Sequence, residues 1–255
     1  MPFKKIHPEK RSEPIIRQIE DMVLRGILRT GDRLPAEREL SLQLGVSRPI
    51  LRDAVADLEA RGLLISRAGA GIFVADVLGS AFSPALIALF SSNYQAVFDY
   101  ISFRRDLEGL AADRAARYGS DMDLAVVDTI FKKMESAHNK RNPQDEAILD
   151  AEFHMSIIEA SHNIVMLHMM RSMFQMLREG VFYNRQRMFK NRTTRDTLLN
   201  QHRAINEAVQ NRDPDGARAA IEAHLSYVEQ DFVLMQRAEQ NEEVAKKRFE
   251  QEQLR

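Results

Sequence analysis

The chain contains no cysteine, which excludes disulfides, thiolate metal sites and cysteine nucleophiles and leaves nitrogen and oxygen atoms to ligate any metal. Redox chemistry therefore does not set the compartment. Net charge is also nearly absent: 36 Lys and Arg stand against 37 Asp and Glu, a formal −1, so a histone-like polybasic binder is excluded and any charged patch must be local. No apolar run approaches the ~20 residues of a membrane span, and the opening MPFKKIHPEK lacks the apolar centre of a secretion signal. A soluble cytoplasmic protein is the expectation. What is present suffices for folding. At 255 residues, 44% apolar and 29% charged, the chain can bury a sizeable core, and at roughly 100–200 residues per domain it predicts two domains.

Charge divides the sequence near residue 76. Residues 1–75 carry 13 basic and 10 acidic side chains, +3, while the remaining 180 carry 23 and 27, −4. The basic end is the candidate for nucleic acid. Strand signals are confined to it, as two short β-prone runs, Leu63–Ser66 and Ile72–Val74, around a turn with Gly69 and Gly71. From Ser83 onward apolar residues recur at helical spacing, with breaks near Gly119–Asp121, Arg141–Asp145, Ser161–Asn163, Lys190–Thr194 and Asn211–Gly216. This predicts an all-α bundle of six or seven helices. Arg237–Arg255 is nearly all charged or amide and reads as an exposed helix extension or frayed tail. The expected fold is mainly α, with a first domain over 1–76, a connecting segment with a short helix over 77–93, a bundle over 94–236 and a tail over 237–255.

In the first domain Ser12 is a plausible N-cap with Pro14 in the first turn, and Ile15, Ile16, Ile19, Met22 and Val23 share one helical face that ends near Gly26. In LPAERELSLQLGVSRPILRDAVADLEARGLL, Pro35 opens a short helix, Gly45 can stop it in the left-handed conformation, and Ser47 caps the next. Two helices joined by about three residues form a helix-turn-helix. Leu51, Val55 and Leu58 can then face the core while Ser47, Arg48, Pro49 and Arg52 project from the N-terminal half, where recognition helices meet base edges. The hairpin makes a wing whose AGAG tip lets backbone approach a phosphate or the minor-groove rim. The competing reading pairs Arg38 and Arg52 with Glu37, Glu39 or Asp53 on a solvated surface. Residues 34–64 resemble the GntR family of bacterial transcription regulators. The resemblance implies DNA contacts from Arg38, Ser47, Arg48, Arg52 and Gly69, and a homodimer on a palindromic DNA operator. Pro49-Ile50 departs from it, because many relatives carry phosphate-touching hydroxyls there.

The second constellation lies in the helical part. In ILDAEFHMSIIEA, Asp150 and His154 are four apart, which puts both on one helical face within reach of one ion, beside the apolar Phe153, Ile157 and Ile158. His202 and His224 each sit among apolar residues on two further helices separated by NRDPDG. Singly, each is readable as a core histidine satisfied by one hydrogen bond; together, three imidazoles and a carboxylate suit zinc, or nickel or manganese with added waters. His7, His138, His162 and His168 have no acidic partner at ligand spacing, and Asn163 is expected to cap a helix. Residues 94–235 resemble the FCD ligand-sensing domain through FRRDLEGLAADRAA, DAEFHMSIIEASHN and HRAINEAVQNRDPDGARAAIEAHL. That likeness implies a divalent metal held by Asp150, His154, His202 and His224, and Arg104 as the clasp for an effector carboxylate. Arg104 could instead pair with Glu108 one turn on; Arg105 is expected to be exposed.

The resemblance thus implies no enzyme, but a regulator whose grip on DNA answers a small carboxylate of the lactate, pyruvate or glycolate type. Repression relieved by ligand and activation both stay open. Two rivals remain: a dimeric regulator whose metal is purely structural, and an all-α metalloenzyme using Glu108 or Glu159 as base.

Overall fold

A computed structural model describes residues 11–76, 84–91, 93–140, 142–178 and 192–253. The expectations placed on the first ten residues, on 77–83, on Arg141 and on Lys190 and Asn191 lie outside the described residues. The chain divides into two compact units, Met1–Ala81 and Phe82–Arg255.

In the first unit, α1 (Glu13–Leu24) turns Ile15, Ile16, Ile19 and Val23 into the core, with Met22 half-buried at the margin. α2 (Glu37–Gln43) and α3 (Arg48–Ala60) follow. Both end in the same way, because Gly45 and Gly62 adopt positive φ, +64° and +73°. Gly45 and Val46 then donate to the carbonyls of Leu42 and Ser41, and Gly62 and Leu63 to those of Glu59 and Leu58, closing carbonyls that a helix end leaves open. Leu51, Ala54, Val55 and Leu58 of α3 complete the core.

The two expected serine caps are corrected. Ser12 occupies the N-cap position of α1 but is itself helical, φ −79° and ψ −20°, and makes no side-chain cap; a capping serine needs extended backbone. Ser47 has that extended backbone yet also makes no capping bond. Pro49, second in α3, lacks one of the two N–H groups such a cap would bind.

The wing pairs β1 (Leu64–Arg67) antiparallel with β2 (Gly71–Val74), Leu64 opposite Val74 and Arg67 opposite Gly71, about one residue from the sequence boundaries. A third edge was not foreseen. Arg33 bridges Phe73, Leu34 N–H donates to Ile72 O at 2.9 Å, and Val74 N–H to Asp32 O at 2.9 Å. These bonds tie the segment before α2 to the wing.

The second unit contains α4 (Pro84–Ser91), α5 (Tyr94–Tyr118), α6 (Asp121–Lys140), α7 (Pro143–Ala160), α8 (Ile164–Arg178), α9 (Arg192–Gln210) and α10 (Pro214–Gln253). Side-chain oxygens of Asn93, Asn142 and Asn163 accept from the first-turn N–H groups of α5, α7 and α8. Small residues on α5, Ala112, Ala115 and Ala116, let α10 approach with Ala217, Ile221 and Leu225, and Phe131, Phe153 and Ile205 fill the same core. At 40 residues, α10 is about 60 Å long. Past Arg237 it is exposed and carries one-turn ion pairs, Glu242–Lys246 at 3.0 Å and Glu243–Lys247 at 2.7 Å, so this stretch is a helix extension. No described helix is long and apolar enough to cross a membrane.

Candidate functional site

Asp150 and His154 stand one turn apart on α7, and His202 on α9 and His224 on α10 face them. One ligand atom from each of the four lies within 4.8 Å of the others, and none of the four residues is more than 5% exposed. His202 Nε2 is 3.1 Å from Asp150 Oδ1 and 3.3 Å from His154 Nε2. The ring centroids of His202 and His224 are 4.4 Å apart. Phe153, between the ligands of α7, turns inward and meets the His202 ring edge-on at 5.4 Å.

Electrostatics and hydrogen bonding leave the imidazoles ready to ligate. Burial pushes both His154 and His224 down, and His224 is lowered further by His202 and His154 beside it. They are therefore neutral, the form that donates a lone pair to a metal. His224 Nδ1 lies 3.0 Å from Gln201 Oε1; an amide oxygen only accepts, so the proton sits on Nδ1 and the lone pair on Nε2. His154 Nδ1 lies 2.5 Å from Glu108 Oε2, which fixes the same tautomer. Outer partners of this kind orient and strengthen ligating histidines. The donor set, its protonation and its outer partners fit a divalent cation.

Glu108 links two groups. Its Oε1 accepts from Arg104 Nε at 2.6 Å while Oε2 faces His154. Burial pushes the Glu108 carboxyl up, but Arg104 and His154 outweigh it and hold it at about 2. Arg104 is fully buried, with its guanidinium carbon 4.9 Å from the Phe174 ring centre and 5.9 Å from that of Tyr100. Its pairing with Glu108 is thus formed. Arg105 is half-buried rather than exposed, because Glu229 of α10 reaches it at 2.9 Å. Glu159 pairs with Arg171 at 2.8 Å and Glu108 is engaged by Arg104 and faces His154, so both carboxylates of the enzymatic reading already have partners. A small cavity, lined by Met134, His138, Glu146, Arg195, Leu199 and His202, borders the cluster. There Arg195 grips Glu146 at 2.5 and 3.0 Å and the His138 carbonyl at 2.8 Å, binding α6 and α7 to α9.

In the first unit Arg38, Ser47, Arg48, Pro49, Arg52 and Gly69 are all exposed. Gly69 has φ +72°, a conformation that suits the wing turn to glycine. Arg48 Nη2 and Arg52 Nε meet at one oxygen, Glu37 Oε2, at 3.2 and 2.9 Å. Those two hydrogen bonds hold the Glu37 carboxyl below its ordinary range.

Comparison with known proteins agrees with both halves. Residues 11–74 match the profile of the bacterial regulatory proteins of the gntR family, and residues 99–227 match the FCD domain. A protein of Escherichia coli (strain K12) named as an L-lactate dehydrogenase operon regulatory protein is 35% identical over 87% of this chain and 86% of its own. The chain belongs to the GntR family and carries an FCD domain. The Glc operon transcriptional activator of the same organism is 30% identical over 86% of this chain and 88% of its own. Streptococcus agalactiae GntR, a solved structure, superposes with a TM-score of 0.55 at 25% identity, covering 86% of this chain and 99% of that one. A GntR regulator with an FCD domain is a DNA-binding transcription regulator, not an enzyme.

Two partners of the four-residue cluster have no signature in the sequence. Glu108 was considered as a partner of Arg104 or as a base, but nothing in its spacing connects it with His154 on another helix. Gln201 adjoins His202 in sequence yet serves His224. Because Glu108 balances a buried guanidinium, Glu108→Gln should cost about 3–5 kcal/mol of stability, read from urea unfolding of the helical unit; a loss below about 1 kcal/mol would mean that water, not Glu108, balances Arg104.

Proposed function

We propose that this regulator binds its DNA operator as a twofold dimer and that a small hydroxy- or keto-carboxylate changes its operator affinity through a divalent metal held by Asp150, His154, His202 and His224. The observation that carries the reading is the buried convergence of those four ligand atoms in a chain whose other unit presents a recognition helix. Zinc is the first choice, since three nitrogens and one carboxylate oxygen suit its four-coordinate preference; nickel or manganese would need added oxygen ligands. Bound there, the ion supplies positive charge in a water-poor site, where a carboxylate is strongly held.

The chain's own residues supply the rest. Glu108 and Gln201 keep His154 and His224 in the ligating tautomer. Arg104, held through Nε by Glu108, is the residue assigned to the effector carboxylate. The name of the Escherichia coli relative, drawn from an L-lactate dehydrogenase operon, supports a lactate-like effector. Arg38, Ser47, Arg48, Pro49, Arg52 and Gly69 form the DNA-facing set, and a twofold dimer would place two recognition helices in successive major grooves of a palindrome. A complete switch between mostly bound and mostly free needs about 5.5 kcal/mol of effector preference for one arrangement.

The near-complete burial of the four ligands favours one second reading, in which the metal is only structural. Titrating L-lactate, pyruvate and glycolate into metal-loaded protein on operator DNA separates the two. A sensor changes its operator affinity with at least one acid, whereas a structural ion leaves it constant while chelation still lowers the melting temperature. His202→Ala should reduce the metal content found by elemental analysis, and full occupancy in that variant would remove His202 from the ligand set.

A further inference from the structure

Arg48 and Arg52 carry like charges four residues apart on α3, yet their guanidiniums share one oxygen of Glu37 at the start of α2. All three side chains are substantially exposed, 54% and 61% for the arginines and 31% for Glu37. Ion pairs this exposed add little to folding stability. A carboxylate beside a DNA-facing helix also repels phosphates. An acid here works against plain electrostatic binding, so its use must lie in how it disposes the arginines.

The decisive detail is which nitrogen it holds. Glu37 takes Arg52 by Nε, and this leaves Nη1 and Nη2 as a parallel pair at the tip of the side chain. That pair is the fork that matches O6 and N7 of guanine in the major groove. Arg48 is held by Nη2, a terminal nitrogen, so its fork is already divided.

We infer that Glu37 is a positioning residue that makes Arg52 the guanine reader of the operator half-site and leaves Arg48 to the phosphate backbone. It rests on the DNA-facing role of α3 proposed above. The carboxylate fixes the Arg52 fork before DNA arrives and keeps that arginine from swinging to phosphates on unrelated sequence. Specific binding gains from the fixed fork, and non-specific binding, which follows the count of free cationic contacts, is held down.

The test uses the full-length dimer and a duplex selected by the wild-type protein from a random library, beside a scrambled duplex of equal length. Glu37→Gln should bind the selected duplex ~3- to 10-fold more weakly and the scrambled one several-fold more tightly, with a salt slope on scrambled DNA steeper by about one. Repeating the selection with Arg52→Ala or Glu37→Gln should relax the preference at one guanine per half-site. Arg48→Ala should weaken both duplexes alike and leave that preference intact. A Glu37→Gln ratio of selected to scrambled affinity within about twofold of wild type overturns the inference, as does a Glu37→Asp variant with the full wild-type ratio, since charge alone would then suffice. Failure of the wild type to select any sequence, or full affinity in the Arg48→Ala, Arg52→Ala double variant, would bring down the underlying DNA reading itself.

Discussion

Three imidazoles and a carboxylate brought together out of water set the main constraint on the helical unit. A polar side chain buried away from water loses the solvation it had in the unfolded chain, and four such side chains converge here. Asp150 and His154 come from one turn of α7, but His202 and His224 require α9 and α10, which pack against each other, to turn those residues toward it. The alanines of α5 and the aromatic packing of Phe131 and Phe153 hold that arrangement. Outer groups then fix protons: Glu108 for His154 and Gln201 for His224. The helix packing and the candidate ion site are thus one solution to one electrostatic problem, and a residue such as Glu108, outside the ligand set, belongs to both.

The parts that could be read from the chain were those written in local spacing. The four-residue step from Asp150 to His154, the glycine stop at Gly45 and the apolar face of α1 each need only a turn or two of helix to be recognised. His202 and His224 stand out by their apolar surroundings, but their meeting point is implied only by the resemblance to the FCD domain, because helical periodicity says nothing about which helices become neighbours. The Glu108–His154 contact and the Arg195 grip on Glu146 escaped for the same reason. Ser12 and Ser47 show the opposite failure. The residue type was right for a cap, while backbone conformation at Ser12 and a proline at position 49 withheld the bond. Arg105, taken as exposed from its sequence neighbours, was claimed by Glu229 across the helix pair.

The two units use charged groups under different dielectric conditions. Inside the bundle, the Arg104–Glu108 pair is almost fully removed from solvent, and loss of either partner strands the other. Between α2 and α3, the Glu37 cluster is open to water, where the same contacts add little to stability but can still decide where a side chain waits. An acidic residue can therefore be a structural necessity in one half of the chain and nearly neutral for folding in the other, and the hydrogen-bond distances alone, 2.6 Å at Arg104 and 2.9 Å at Arg52, would not tell them apart.

The length of α10 adds a mechanical consequence. His224 lies only ten residues after its first residue, so about 29 residues of rod, roughly 44 Å, extend beyond the cluster. A tilt of ~5° pivoting at His224 would sweep the far end through about 4 Å, given a rise of 1.5 Å per residue. A sub-ångström adjustment of one ring would be magnified into a displacement comparable to a side chain's width.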